Sequence, residues 1–88
     1  MYELDIQEKV QRIFRKLAKK DPVAHTAMQN KVLDILQEPH HFKPLGNVMS
    51  GKRRVHFGSF VLVFSIDEGR KTVVLEDYDH HDRVYRRA

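Results

Sequence analysis

Eighty-eight residues leave room for one domain, residues 1–88, around one small core, and the absence of cysteine excludes disulfides and thiolate zinc sites. No signal peptide opens the chain and no apolar run reaches the about 18 residues a bilayer requires, so no membrane association and a cytoplasmic location are expected. The net charge of +4 favours a polyanionic partner, and the excess is uneven: residues 43–88 hold 9 Lys/Arg against 6 Asp/Glu, residues 1–42 hold 7 against 6. A soluble basic surface would account for the charge alone.

Tyr2, Leu4 and Ile6 alternate with Glu3 and Asp5, which predicts a short opening strand. Ile6, Val10, Ile13, Phe14 and Leu17 then recur at helical spacing and predict an amphipathic helix from about Gln7 to Lys19. Asp21-Pro22 is a helix start, because Asp caps orphan N–H groups and Pro suits the first helical position. Ala24, Met28, Val32, Ile35 and Leu36 line one face of this second helix until Pro39 stops it. The short connection makes the two helices an antiparallel hairpin.

An irregular stretch is expected from His40 to Ser50, after which the apolar period becomes two. Gly58-Ser59 fits a tight hairpin turn between two strands, and Asp67-Glu68-Gly69 a second hairpin loop before Thr72-Val73-Val74-Leu75. The order is β-α-α-β-β-β, an α+β fold with the helical hairpin packed on a small antiparallel sheet. No repeat, linker or low-complexity segment interrupts it.

In the strand Lys52 to Phe57, Lys52, Arg54 and His56 share one face, about 7 Å apart, while Arg53, Val55 and Phe57 share the other. His56 beside Arg54 joins a group that exchanges protons near neutral pH to a fixed cation. A solvated sheet face reads equally well from this strand alone. Asp79-His80-His81-Asp82 is the densest titratable cluster, but adjacent residues rarely turn to one ion, so no metal and no other cofactor is expected. Lys9, Arg12, Lys16, Lys19 and Lys20 form the polar side of the first helix, a normal solvated face that would also serve as a sequence-independent phosphate contact. Tyr78 and Tyr85 fit core or edge positions, or stacking on a base.

The predicted order, Pro44-Leu45, the run from Arg54 to Phe64 and the ending His80-His81-Asp82-Arg83-Val84-Tyr85-Arg86 together resemble the RelE/ParE superfamily of toxins over nearly the whole chain. The resemblance implies the toxin of a toxin–antitoxin pair, a ribosome-dependent endoribonuclease that cleaves mRNA without metal by attack of the 2′-hydroxyl on its own phosphate. It implies a small acidic antitoxin, mRNA and the ribosome as partners. Arg54 and His56 fall on the strand's two basic positions, His81 on a catalytic histidine and Tyr85 on the closing aromatic. Lys16, Lys19, Lys52, Arg53, His80, Arg83 and Arg86 would hold RNA. Val61 departs from the pattern, since many members carry arginine there, and Arg54, Arg53 or Arg83 would then supply that charge. The alternatives are a ParE-like toxin that inhibits gyrase by binding, and a catalytically degenerate binding module.

Overall fold

The computed structural model describes residues 1–45 and 51–87. In chain order it has strand β1 (Glu3–Ile6), helices α1 (Glu8–Lys20) and α2 (Pro22–Gln37), a 3₁₀ turn (Pro39–His41), strands β2 (Lys52–Phe57), β3 (Phe60–Asp67) and β4 (Thr72–His80), and helix α3 (His81–Arg87). The predicted β-α-α-β-β-β succession is present, with α3 added at its end. The Asp21 carboxylate accepts from the Ala24 N–H at 3.1 Å and caps α2, with Pro22 at the first helical position. A cap of this kind contributes about 1 kcal/mol.

The strands lie in the order β1-β4-β3-β2. β2, β3 and β4 form the expected antiparallel meander, whereas β1 pairs with β4 in parallel, Glu3 beside Thr72 and Ile6 beside Leu75. The sheet is therefore mixed rather than wholly antiparallel, because β1 reaches the far edge next to the last strand. Gly58 turns the β2–β3 hairpin with φ +58°, a conformation glycine adopts without a Cβ penalty. In the β3–β4 loop the left-handed residue is Lys71, φ 51°, and not Gly69. The irregular stretch is described as far as Leu45, where Lys43–Leu45 runs along the outer edge of β2 through Leu45 N–H to Lys52 C=O and Arg54 N–H to Lys43 C=O. The expectation for 46–50 lies outside the described residues.

The main core joins Val10, Met28, Val32, Ile35 and Leu36 of the helices to Leu62, Phe64, Val73 and Leu75 of the sheet. A second apolar cluster, Leu45, Val61, Val63 and Val84, sits on the other face beneath α3. This explains why Phe60-Val61-Leu62-Val63-Phe64 reads as a continuous apolar run, since β3 is covered on both sides. Phe64 is fully buried at the centre, and Phe64→Ala is expected to cost about 3–5 kcal/mol. Thermal unfolding would register that as a fall in Tm of more than about 10 °C.

Candidate active site

Alternation along β2 turns Lys52, Arg54 and His56 to the face that carries α3, opposite Ser65, Val63 and Val61 of β3. β4 has a bulge between the registers Val63–Asp77 and Phe64–Leu75, which leaves Glu76 as the extra residue. The Glu76 carboxylate takes the Ser65 hydroxyl as donor and pairs with Lys52. Lys52 is thus engaged within the protein.

At the other end of the sheet, β4 passes into α3 between His80 and His81, and the His81 N–H donates to the Ser59 carbonyl at 2.8 Å. That bond seats the start of α3 on the β2–β3 turn. Val84 anchors the helix below, and Tyr85 faces β2, its hydroxyl 3.2 Å from His56 Nε2 and the two rings tilted at 6.2 Å. The His56 imidazole is held below its ordinary pKa, chiefly by partial desolvation, then by the nearby Arg54 guanidinium and by His81. Arg54, His56, His81 and Tyr85 therefore come together on one face.

Arg54 is half-buried, and its Nε is buried without a hydrogen-bond partner among the described residues. A desolvated donor on a cation without an acceptor is costly unless an anion completes it. The other candidate cations are less available. Arg53 points away from this face, with Nη1 donating to the Phe42 carbonyl at 2.6 Å and Nη2 3.5 Å from His40 Nδ1. Arg83 Nε lies 2.9 Å from Asp79 Oδ1. Arg86, Lys16 and Lys19 are exposed. Val61 is fully buried in the cluster under α3, so the position where the resemblance implies arginine is here a packing position.

The two adjacent histidines do converge, contrary to what alternation along a strand implies. His80 and His81 stack at 4.7 Å with 25° between planes, because the backbone changes from extended to helical between them. Asp82 lies 3.1 Å from His81 Nδ1 and 3.7 Å from His80 Nδ1, and one ligand atom from each of the three falls within 4.8 Å of the others. Imidazole and carboxylate donors of this kind suit zinc or a similar ion, although His80 Nδ1 already accepts the Asp82 N–H at 3.2 Å. Tyr78 belongs to the core edge, packed with Phe14, Phe57 and Phe60.

Sequence reasoning missed α3, the Glu76 and Asp79 partners and the exposure of Phe60. The two-sided apolar run of β3 was the signal for α3; the bulge at Glu76 left none.

Residues 2–85 match the family described as the ParE toxin of the type II toxin–antitoxin system parDE. The chain is 43% identical over 88 residues to a candidate toxin, RelE4, of Methanocaldococcus jannaschii, covering 99% of this chain and 94% of that protein. Its fold is similar to the RelBE2 toxin–antitoxin complex of Mycobacterium tuberculosis, with a TM-score of 0.74 at 27% identity and 90% of each chain covered. The toxin in the intact Escherichia coli RelBE complex gives a TM-score of 0.75 at 21% identity, with 91% of this chain and 96% of that chain covered. Among the described residues no helix is long and apolar enough to cross a membrane. With the family match running from residue 2 to residue 85 and the α+β architecture shared, the chain belongs to the RelE/ParE superfamily as a toxin of a toxin–antitoxin system.

Proposed function

We propose that this toxin is a ribosome-dependent endoribonuclease that cuts mRNA by attack of a 2′-hydroxyl on its own phosphate. The observation that carries the reading is the Arg54 Nε, buried and without a hydrogen-bond partner among the described residues, beside an imidazole whose pKa is lowered. Cleavage of this kind requires a base, an acid and a fixed cation near the phosphorane.

His56 is assigned as base, since its lowered pKa keeps the imidazole uncharged at neutral pH, and Nε2 is the nitrogen turned to the site. In the free protein that nitrogen lies 3.2 Å from the Tyr85 hydroxyl; in the tautomer with Nε2 unprotonated, a substrate 2′-hydroxyl replacing the phenol presents its proton to that lone pair. The 2′-oxygen bonds to phosphorus, the P–O5′ bond breaks, and His81 protonates the departing 5′-oxygen. The products are a 2′,3′-cyclic phosphate and a 5′-hydroxyl. Arg54 neutralises the charge that gathers on the non-bridging oxygens, and the displaced Tyr85 ring stacks on a base. Asp82, 3.1 Å from His81 Nδ1, fixes that ring with Nε2 toward the substrate. Lys16, Lys19, His80 and Arg86 hold RNA without reading sequence, Lys52 and Arg83 only by leaving their carboxylate partners, and Arg53 from the strand's other face. A small acidic antitoxin masks the cationic surface, in keeping with the complexes formed by the M. tuberculosis and E. coli relatives.

Expression without and with a co-expressed antitoxin, followed by mapping of RNA 3′ ends, tests the reading. Cut mRNA bearing cyclic phosphates is expected. Intact mRNA with broken chromosomal DNA would favour the gyrase-directed alternative, which the ParE family match keeps in view. No toxicity at all would favour a degenerate binding module.

The roles carry a pH signature. Cleavage should fall as pH drops through the His56 pKa, which lies below the ordinary imidazole value, because protonation removes the base. Arg54→Gln removes a repelling charge, raises that pKa and moves the acid limb to higher pH, besides lowering the rate. An acid limb that stays in place in Arg54→Gln would remove His56 from the base role.

A further inference from the structure

Beside the histidines, a groove of about 600 Å³ runs between α1 and the ends of β3 and β4. Lys9, Lys16 and Lys20, at helical spacing, form one wall, and Phe60 with Tyr78 forms the other. Asp77 and Asp79 also line it, but Lys9 lies 3.5 Å from Asp77 and Arg83 2.9 Å from Asp79. Lys16 and Lys20 give the groove its positive character, and both are exposed.

Phe60 is the unusual member. Its side is 40% exposed, although a phenyl in water gains nothing from solvent. One ring face stacks on Tyr78 at 5.4 Å and 18°, and the edge of His80 meets it at 5.9 Å. His80 in turn stacks on His81. A run of rings therefore leads from the groove directly to the proposed acid. An exposed aromatic stacking surface flanked by cations is what single-stranded nucleic acid uses, the ring taking any base and the cations its phosphates.

We propose that this groove is a subsite for a single-stranded RNA nucleotide flanking the cleaved bond, with its base stacked on Phe60 and its phosphate between Lys16 and Lys20. The groove lies on the sheet face opposite Arg54 and His56, so the strand rounds the end of the sheet at His80 and His81. The subsite deepens the nuclease reading and rests on it for the identity of the strand. Because stacking accepts every base, the subsite positions RNA without selecting a sequence.

The test uses a short uridine-rich oligonucleotide carrying 2-aminopurine, with 2′-O-methyl groups throughout so that no cleavage can occur. The wild-type protein should quench the 2-aminopurine as its base stacks. Phe60→Ala should weaken binding about tenfold or more, the scale of one lost base–aromatic stack, and abolish the quench. Phe60→Leu keeps apolar bulk against Tyr78; it should melt like wild type and still lose the quench. The double variant Lys16→Ala, Lys20→Ala should bind more weakly and with a shallower salt dependence. Wild-type quenching by Phe60→Leu, or no oligonucleotide binding by the wild type, would overturn the subsite. So would unchanged oligonucleotide binding by Phe60→Leu alongside lost capture of a co-expressed acidic antitoxin, which would give the groove to that protein. A Phe60-dependent quench supports the subsite whatever the cleavage assay reports, so the two readings fail separately.

Discussion

His56→Ala and His81→Ala are each expected to slow mRNA cleavage by about 10² or more, the scale of a lost acid or base. Primer extension on translated mRNA, with protein treated with EDTA, is the measurement. Groups that act as one unit lose activity together, so the double variant should be little slower than either single one. Arg54→Ala should also be slow, because the half-buried guanidinium is the proposed fixed charge on the phosphorane. Full activity in the double variant would remove both histidines from the chemistry. Cleavage abolished by chelation would instead assign His80, His81 and Asp82 to a metal, which their converging ligand atoms permit.

The second large effect is expected at Val61. Introducing at position 61 the arginine that the resemblance implies should destabilise this protein rather than activate it. Val61 is fully buried with Leu45, Val63 and Val84, and its cross-strand neighbour Asp79 already pairs with Arg83. Burying a charge that must compete with Arg83 for Asp79, and breaking the packing under α3, should cost about 3 kcal/mol or more. Denaturant unfolding of Val61→Arg beside Val61→Ala separates the charge from the lost methyl groups. A Val61→Arg protein as stable as wild type and faster in cleavage would mean that the cluster yields and that Arg54 is not the principal cation.

The fold was largely legible because its signals are local. Apolar periodicity placed α1 and β3, Asp21-Pro22 started α2, and Gly58 marked a turn that its positive φ requires. The direction of β1 was not legible, because β1 pairs with residues about seventy positions away and nothing in Tyr2–Ile6 encodes a parallel partner. Alternation placed Arg54 and His56 on one face, and the same periodicity separated Arg53 from them. It misled at His80 and His81, where the strand ends and the period of two no longer applies. Lys52 and Arg83 show a further limit, since a basic residue reads as available until its carboxylate is located, here Glu76 and Asp79. The seven residues of α3 carry a single buried apolar side chain, Val84, too little periodicity to announce a helix.

The pairing of β1 with β4 has a consequence for how the protein comes into being. As the chain is synthesised from N- to C-terminus, residues 3–6 emerge well before the strand that receives them, residues 72–80. The α1–α2 hairpin can form early from local contacts, but its apolar stripe has no sheet to cover. β2 then supplies Arg54 and His56 well before residues 81–85 exist. A nascent chain therefore carries half of the proposed catalytic set and cannot assemble the rest until residues 81–85 have left the ribosome. The order of synthesis itself delays assembly of the toxin's site.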